Sequence, residues 1–556
     1  MPGKGLWRRR GFLYREIGCR VVRRRPPRES MKQMNRRPVV ILTVTVLALG
    51  AAAGALFGER TIPEDQEAVV LRASEIVTTL LDWLPEEHDP ADIVYDGIGG
   101  MLQVLDPHSS YLDPRSFRHM RARQEGSFFG VGIIISRRNG NVTVISPIAG
   151  TPAANRGLRA GDVISAVAGE PTEDLSLDEV VDLVRGPEGS TVVLTIARPG
   201  FKDTFDVGIE RTKIPQTSVR YSFLIEPDIG YIRLSEFSNT SVREVRDAIA
   251  TLREEGMKRL IFDLRNNPGG PLDAAVGVSD LFLEPEQLIV STRGRTADNN
   301  TTFHAPGNPG GFDGPLVILV NEGSASASEI VAGAVQDHDR GLVLGETTWG
   351  KGLVQTVFTV RDTGLALTTA RYYTPSGRCI QRDYESFIDY VTHRNGADPA
   401  TADIYETEAG RTVLGGGGIT PDITVENRTL SESMVRLYTV SAFFRYAVEL
   451  LKDVPEASQR EYGSSFEAGV EVLDRFWTWV VEDEILEPGV IESLREDEQQ
   501  AADVARAITS EVVNATLGLN EGYRVALEGD DQMRAAIANL DAAADFWEAY
   551  ASEHAE

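Results

Sequence analysis

Hydrophobic residues recur at intervals of three and four along residues 64–125, and this spacing predicts amphipathic helices. From residue 126 to residue 211 the pattern changes to short β-rich runs separated by turns, which is typical of strands. An amphipathic stretch at residues 176–184 interrupts this module and predicts a single helix. We therefore expect a helical N-terminal region followed by a small β-rich domain.

The next region, residues 212–426, mixes both periods. Two continuous apolar runs, at residues 260–264 and 315–320, predict strands that are buried on both faces of a sheet. Ser241 and Glu244 have the spacing of a capping box, which predicts the start of a helix between strands. Strands that alternate with helices in this way are typical of an α/β core.

The last region, residues 427–556, is acidic and has helical periodicity throughout. We interpret it as a helical C-terminal domain whose aromatic residues belong mostly to its core. Together with the regions before it, this makes the chain a multidomain α/β protein.

The N-terminus has the pattern of a targeting segment. Residues 38–57 form an uncharged run of 20 residues, about the length that crosses a ~30 Å hydrocarbon layer as a helix. Residues 1–37 carry 13 basic and 2 acidic side chains, so the positive-inside tendency predicts export of everything after the run. We expect an uncleaved anchor; small residues at 51–55 leave a cleaved signal peptide open, and a buried core helix is a third reading. Met31 begins a conventional export sequence, which would leave residues 1–30 untranslated.

Charge and cysteine content exclude two kinds of protein. The 556-residue chain has a formal net charge of −27, and its basic excess is confined to the N-terminal region. Because nucleic-acid binding requires a basic face, we exclude nucleic acid as a partner. Of the two cysteines, Cys19 precedes the apolar run and only Cys379 follows it, so the exported body has neither a disulfide framework nor a cysteine-based zinc site.

A candidate nucleophile follows the second buried strand. In NEGSASASE a helix is predicted to begin near Ser326, which would place its hydroxyl at the positive end of the helix dipole beside unpaired N–H groups. That environment suits a nucleophile whose reaction generates an oxyanion. The alternative is that Ser326 and Glu329 form an ordinary capping box.

The candidate base is a lysine. His338 lies 12 residues down the same predicted helix, roughly 18 Å away, and nothing in the sequence positions His304. Lys351 lies between two glycines and becomes a base near neutral pH if burial lowers its pKa. Gln355, four residues on, shares its face and could orient the amine. The alternative for Lys351 is a solvated surface lysine.

Glycines supply a third element after the strand at residues 260–264. Consecutive glycines in the turn RNNPGG let the backbone approach a ligand and present N–H groups, as an oxyanion hole requires. By itself the motif also fits a simple turn.

Taken in order, these motifs resemble the C-terminal processing (tail-specific) serine proteases. The resemblance starts at LDPHSSYL (105–112), continues through FFGVGI, GLRAGDVI and LVRGPEGS, and ends at RYYTPSGRCIQ and GGGGITPDI. It implies a PDZ domain at residues 126–211 inserted before a crotonase-like protease core. The implied roles are nucleophile for Ser326, general base for Lys351, its orienting partner for Gln355, and oxyanion hole for the amides of Gly269 or Gly270 and of Ala327.

The PDZ domain implied by the resemblance gives the FFGVGI motif a physical role. The amides of Gly130, Val131 and Gly132 can form a nest for a C-terminal carboxylate, while the peptide adds as a strand from Ile133 onwards. The alternative is an ordinary hairpin. Arg185 resembles the arginine with which some relatives couple PDZ occupancy to the active site, and a solvated arginine is equally compatible with the sequence.

We therefore expect an exported serine endopeptidase, anchored at the periplasmic side of the cell envelope, or secreted there if the signal is cleaved. It would bind free protein C-termini and cleave through an acyl-enzyme, without a metal or organic cofactor. A homodimer or higher homo-oligomer is expected, and an envelope adaptor protein is a candidate partner. The alternatives are a catalytically silent PDZ scaffold and an acyl-CoA enzyme. For the DPHSSY segment we expect a structural role.

Overall fold

The computed structural model describes residues 64–85, 88–138, 140–148, 150–384, 387–392 and 402–554. The predicted membrane segment at residues 38–57 and the basic region before it lie outside the described residues. Within the described ranges, no helix has both the length and the apolarity needed to span a membrane.

The chain divides into two compact units, residues 1–93 and 94–556. The described part of the first unit consists of helix α1 (Glu64–Trp83) and the start of helix α2 (Pro90–Gln103). This agrees with the helical periodicity of the region.

The second unit begins with the rest of α2, followed by β1 (Ser110–Leu112) and α3 (Pro114–Glu125), and continues into the β-rich module. The elements of this module are β2 (Ser127–Gly130), β3 (Ile133–Arg138), β4 (Asn141–Pro147), α4 (Pro152–Asn155), β5 (Val163–Val167), β6 (Glu170–Pro171), α5 (Leu177–Val184), β7 (Thr191–Ala197), β8 (Phe205–Glu210) and β9 (Thr212–Pro215). Its sheet has the order β3-β4-β5-β7-β8, so β3 lies at an edge, and β2 pairs with β9.

The elements of the α/β core are β10 (Val219–Glu226), β11 (Ile229–Leu234), α6 (Ser241–Glu254), β12 (Arg259–Asp263), α7 (Leu272–Ser279), β13 (Leu288–Gly294), β14 (Thr301–His304), β15 (Leu316–Val320), α8 (Ala327–Asp337), β16 (Leu342–Gly345), β17 (Leu353–Val360), β18 (Thr363–Tyr373), α9 (Phe387–Thr392), β19 (Ile404–Glu406), β20 (Thr412–Leu414) and β21 (Ile423–Thr424). One sheet has the order β10-β11-β12-β15-β16-β21 and is parallel apart from its first pair. A second sheet has the order β1-β18-β13-β14, with β17 paired to β18, and β19 pairs with β20 in a two-stranded antiparallel sheet.

The C-terminal region is helical, as its periodicity predicts. Its helices are α10 (Glu432–Thr439), α11 (Ala442–Leu451), α12 (Glu456–Ser465), α13 (Val470–Glu482), α14 (Pro488–Glu496), α15 (Glu498–Leu517), α16 (Leu519–Leu527), α17 (Asp531–Ala538) and α18 (Leu540–Glu553). Phe443, Phe476 and Trp477 are buried in a core of their own.

The last helices of this region cover the α/β core. Successive side chains of a strand point to opposite faces, and Leu316, Ile318 and Val320 of β15 pack into the cluster that includes α6, α7 and α8. Val317 and Leu319 face the other way and pack in one cluster with residues of α16, α17 and α18. The continuous apolar run of β15 is therefore explained by burial on both faces.

One predicted cap is wrong by one residue. Helix α6 begins at Ser241, but Thr240 is its N-cap residue. The carboxylate of Glu244 accepts hydrogen bonds from the Thr240 hydroxyl (2.6 Å) and from the N–H of Ser218 (2.7 Å). Glu244 therefore ties the helix to the start of β10 instead of closing a capping box with Ser241.

Candidate active site

Ser326 occupies a strained turn between β15 and α8. Its backbone has φ 56° and ψ −110°, a region that favours glycine, and strain of this kind costs about 1–3 kcal/mol. Helix α8 begins at the next residue, so the serine lies at the helix N-terminus as the sequence predicts. Strained backbone at a helix N-terminus is typical of a nucleophile turn.

Glu329 is the residue whose role sequence reasoning missed. Its side chain is completely buried, and burial raises its pKa. Oε2 accepts the N–H groups of Ser326 (2.7 Å) and Lys351 (2.9 Å), and Oε1 accepts the Thr348 hydroxyl (2.6 Å) and the Gly350 N–H (2.7 Å). One carboxylate thus fastens the serine turn to the lysine turn. The spacing of Ser326 and Glu329, which by itself also fits an ordinary capping box, was the only sequence signal for this carboxylate.

Two further contacts join the same turns. The Trp349 N–H donates to the carbonyl oxygen of Ser324 at 2.9 Å. The Tyr372 hydroxyl lies between the carbonyl oxygens of Ser326 (3.0 Å) and Lys351. The structure therefore brings the two candidate catalytic residues together through their main chains.

The Lys351 side chain is largely enclosed. Nζ donates to Oε1 of Gln355 at 2.9 Å. Burial lowers the pKa of Lys351, and the negative charges of Glu329 and Asp106 oppose that effect. Within the described residues, Nζ makes no hydrogen bond to Ser326, and catalytic contacts are often long before substrate binds.

The two histidines considered as bases do other work. His338 is buried at the end of α8, where Nε2 contacts the Leu288 carbonyl oxygen at 2.7 Å and Nδ1 contacts Glu408 at 2.9 Å. His304 is exposed on β14. Neither forms a hydrogen bond to Ser326 in the described part of the chain.

The two glycines of the RNNPGG turn differ in what their N–H groups do. The Gly269 N–H donates to Oδ1 of Asn267 at 2.9 Å, whereas among the described residues the Gly270 N–H has no partner. A Cβ on Gly269 would lie 2.9 Å from the Cβ of Ser326, and one on Gly270 would lie 2.2 Å from the carbonyl oxygen of Phe237. The close approach therefore requires glycine at both positions. The Ala327 N–H, at the first position of α8, has no acceptor within the helix.

The DPHSSY segment lies beside the lysine. The Gln355 Nε2 donates to the carbonyl oxygen of His108 at 2.6 Å. The His108 ring packs edge-on against Tyr390, with centroids 4.8 Å apart, and its buried Nε2 has no partner among the described residues. Burial and, to a smaller extent, the charge of Lys351 lower the pKa of His108 to about 4, against the opposing effect of the Asp106 charge. The segment is thus part of the wall around the lysine.

The FFGVGI motif forms a loop between β2 and the edge strand β3, which starts at Ile133. The carbonyl oxygens of Val131 and Gly132 accept the N–H groups of Ala153 and Ile148, both at 2.9 Å. The N–H groups of Val131 and Gly132 have no partner within the described ranges. They directly follow Gly130, the last residue of β2. Such a set of free amides beside an edge strand can bind a carboxylate.

Arg185 ends helix α5 next to this loop. Its guanidinium carbon lies 4.3 Å from the centre of the Phe128 ring, and its buried Nε has no hydrogen-bond partner among the described residues. Burial lowers the pKa of Arg185. The arginine is therefore stacked and partly enclosed rather than freely solvated.

Comparison with known proteins gives matches in the same regions. Residues 228–386 match the model of peptidase family S41, and residues 143–198 match a PDZ domain model. The carboxy-terminal-processing protease of Bartonella bacilliformis is 43% identical over 298 residues, 53% of this chain and 68% of the relative. The carboxyl-terminal-processing protease of Picosynechococcus is 38% identical over 291 residues, 51% of this chain and 69% of the relative.

A solved structure, the photosystem II D1 C-terminal processing protease, is 31% identical in a match that covers 63% of this chain and 85% of that one, with a TM-score of 0.33. The two curated relatives each share well over 30% of their residues with this chain across two thirds of their own length. The protein is therefore a member of peptidase family S41, a carboxy-terminal-processing serine protease with a PDZ domain.

Proposed function

We propose that this protein cleaves peptide bonds through an acyl-enzyme, with Ser326 as nucleophile and Lys351 as general base. The observation that carries the proposal is the buried carboxylate of Glu329, which binds the main chain of both residues at once. Burial of the lysine supports its role, because desolvation disfavours the ammonium form and lowers the pKa of the amine.

The proposed reaction has two balanced halves. Ser326 Oγ gives its proton to Lys351 Nζ and bonds to the scissile carbonyl carbon; the C–N bond then breaks, and the lysine returns the proton to the leaving amine. Water next attacks the ester with the lysine again as base, which releases the acid and restores the hydroxyl. Gln355 Oε1 accepts only, so it directs one amine hydrogen and leaves the nitrogen lone pair to face elsewhere. The route uses no metal or organic cofactor.

The oxyanion hole is proposed to consist of the N–H groups of Gly270 and Ala327. The Gly269 N–H is bonded to Asn267, so of the two predicted glycine amides Gly270 is the better donor. The close approach of Gly269 to Ser326 supports this assignment, because donors in the glycine turn would then lie near the attacked carbonyl. Donors held in advance where charge develops stabilise the transition state without reorganisation.

Substrate choice is proposed to rest on the PDZ module. A free C-terminal carboxylate would bind the amides of Gly130, Val131 and Gly132, and the peptide would pair with β3 from Ile133. Arg185, stacked beside this loop, is the proposed link between an occupied groove and the active site.

The domain boundaries and location are proposed on the same basis. Residues 64–125 form the helical N-terminal region, 126–211 the PDZ domain, 212–426 a crotonase-like protease core, and 427–556 the helical C-terminal region. We expect export to the cell envelope through the segment at residues 38–57, by an anchor or a cleaved signal. A homo-oligomer and an envelope adaptor are the proposed partners besides substrate proteins.

Mass spectrometry of peptide digests tests both halves of the proposal. Matched peptides with free and amidated C-termini are incubated with the wild type, Ser326→Ala, Lys351→Ala and the control Lys452→Ala, which changes an exposed lysine. We expect cleavage of the free peptide by the wild type and the control, none by the two site variants, and slower cleavage of the amidated peptide.

The outcomes separate the claims. Cleavage by Ser326→Ala or Lys351→Ala would overturn the assignment of that residue. Equal cleavage of free and amidated peptides would overturn carboxylate recognition and leave the catalytic assignment standing.

A further inference from the structure

The turn from Asp106 to Ser109 is built around one carboxylate. Asp106 accepts the N–H groups of His108 (2.8 Å) and Ser109 (2.9 Å), the Ser109 hydroxyl (2.6 Å) and the Thr368 hydroxyl (3.0 Å). The last contact fixes the turn to β18 of the protease core. The His108 carbonyl is therefore held in one position relative to β17, which pairs with β18.

The His108 carbonyl determines which end of the Gln355 amide faces it and which end faces Lys351. A glutamine amide has an acceptor oxygen at one end and a donor nitrogen at the other, and the two ends have nearly the same shape. A carbonyl oxygen can only accept, so His108 selects the nitrogen end of Gln355. The oxygen end is then left for Lys351, where it is found. If the amide were reversed, its NH₂ group would compete with Ser326 for the lone pair of a neutral lysine.

The same turn brings charge to the lysine. Among the described residues, the charges that act on Lys351 are those of Glu329 on α8 and Asp106 in the turn, and Lys351 itself acts on His108. Burial opposes ionisation of Asp106, but hydrogen bonds from Ser109, His108 and Thr368 together lower its pKa. His108 is neutral above about pH 4, so Asp106 is the charged member of the turn at working pH.

We propose that the Asp106–Ser109 turn is a positioning element of the catalytic site: through the His108 carbonyl it orients Gln355 towards Lys351, and through the Asp106 carboxylate it favours the ammonium form of that lysine. The inference rests on the proposed Ser326 and Lys351 mechanism. It gives a role at the lysine to a segment for which the sequence indicated only a structural one.

The chain contains a matched control for this turn. Asp113-Pro-Arg-Ser116 repeats the Asp-Pro-X-Ser pattern of Asp106-Pro-His-Ser109. Asp113 likewise accepts the N–H of the residue two positions on (2.7 Å) and both groups of the serine three positions on (3.0 and 2.8 Å). Its carboxylate caps helix α3 and is not among the charges that act on Lys351.

The test is the pH dependence of Ser326 labelling by a fluorophosphonate, followed by intact mass, because it needs no known substrate. Asp106→Asn keeps an acceptor for the turn and removes the charge. The lysine must be neutral to act, and loss of a nearby negative charge favours the neutral amine. We therefore expect the acid limb of the rate profile to move to lower pH, so that Asp106→Asn labels faster than the wild type on the acid side. Asp113→Asn should leave the limb in place.

Asp106→Ala removes the acceptor as well and frees the His108 carbonyl. We expect the plateau rate of labelling to fall by roughly tenfold to a hundredfold, the scale of a catalytic group misplaced by a fraction of an ångström to an ångström. Thermal melts of all variants show whether each is folded.

An acid limb in Asp106→Asn that stays in place, moves upward, or moves equally in Asp113→Asn overturns the role of the charge. A plateau in folded Asp106→Ala equal to that of the wild type overturns the role of the carbonyl. Labelling of Ser326→Ala at the wild-type rate, by contrast, would overturn the underlying mechanism.

Discussion

Glu329 provides the sharpest test of how the site is held together. Each oxygen of its carboxylate accepts two hydrogen bonds, from Ser326 and Lys351 on one side and from Thr348 and Gly350 on the other. Glu329→Gln keeps the shape but turns one oxygen into an NH₂ donor. The least costly orientation directs this group at Thr348, whose hydroxyl can rotate, and leaves the Gly350 N–H without an acceptor.

The magnitude follows from that count. One buried N–H group left unpaired costs about 1–3 kcal/mol, which lowers the melting temperature of a domain of this size by roughly 3–10 °C. Glu329→Ala unpairs all four donors and should cost on the order of 4 kcal/mol or more. The lost bonds position the proposed nucleophile and base. We therefore expect the plateau rate of Ser326 labelling to fall at least tenfold in Glu329→Gln, since misplacing a catalytic group by one ångström costs about a hundredfold in rate.

Calorimetric melts and fluorophosphonate labelling are the two measurements. Glu322→Gln is the matched control, since Glu322 lies in the same turn but is exposed. Binding of a peptide with a free C-terminus to the PDZ module, measured by titration calorimetry, should be the same in all three proteins. A Glu329→Gln protein that melts and labels like the wild type would refute the reasoning, as would an equal loss in Glu322→Gln.

Three other substitutions have expected outcomes. Lys351→Met should abolish labelling yet match or exceed the wild type in melting temperature at pH 7. Because burial lowers the pKa of Lys351, the buried lysine destabilises the wild type most at low pH, so melting scans from pH 6 to 10 should show the higher melting temperature of the variant approach that of the wild type as pH rises. Ser326→Gly should be more stable than Ser326→Ala by about 1 kcal/mol in chemical denaturation, since only glycine relieves the positive φ; equal stabilities would argue against strain. In Gly132→Ala a Cβ would lie 2.3 Å from the Cβ of Thr151 at φ +82°, so cleavage of peptides with free C-termini should fall while labelling of Ser326 continues; unchanged cleavage would contradict a role for the loop.

Much of the architecture could be read from local patterns. The period-two and period-three-to-four spacing predicts the β-rich module, the alternating core and the helical C-terminal region, because a strand or helix records its own burial in its own residues. Ser326 and Lys351 could also be identified as candidates from the sequence, because each belongs to a short motif at the end of a predicted element and the order of those motifs is that of a known protease family.

The contacts between distant segments could not be predicted from the sequence. Gln355 meets the His108 carbonyl across 247 positions, and the Arg265 guanidinium meets Asp530 across 265, so neither pairing leaves a periodic trace. The same holds for the C-terminal helices that cover the second face of the sheet. The amphipathic stripe of these helices shows that one face is buried, but it does not identify the surface against which that face packs.

The sequence by itself determined which segments fold as strands or helices and which side chains are the candidates for nucleophile and base. The tertiary structure alone decided that Glu329 joins the Ser326 turn to the Lys351 turn, that Gly269 has its N–H bonded to Asn267 and that Asp106 lies near Lys351. The physical reason is that hydrogen bonding and charge act over a few ångströms of space, and only the folded chain determines which distant residues are that close.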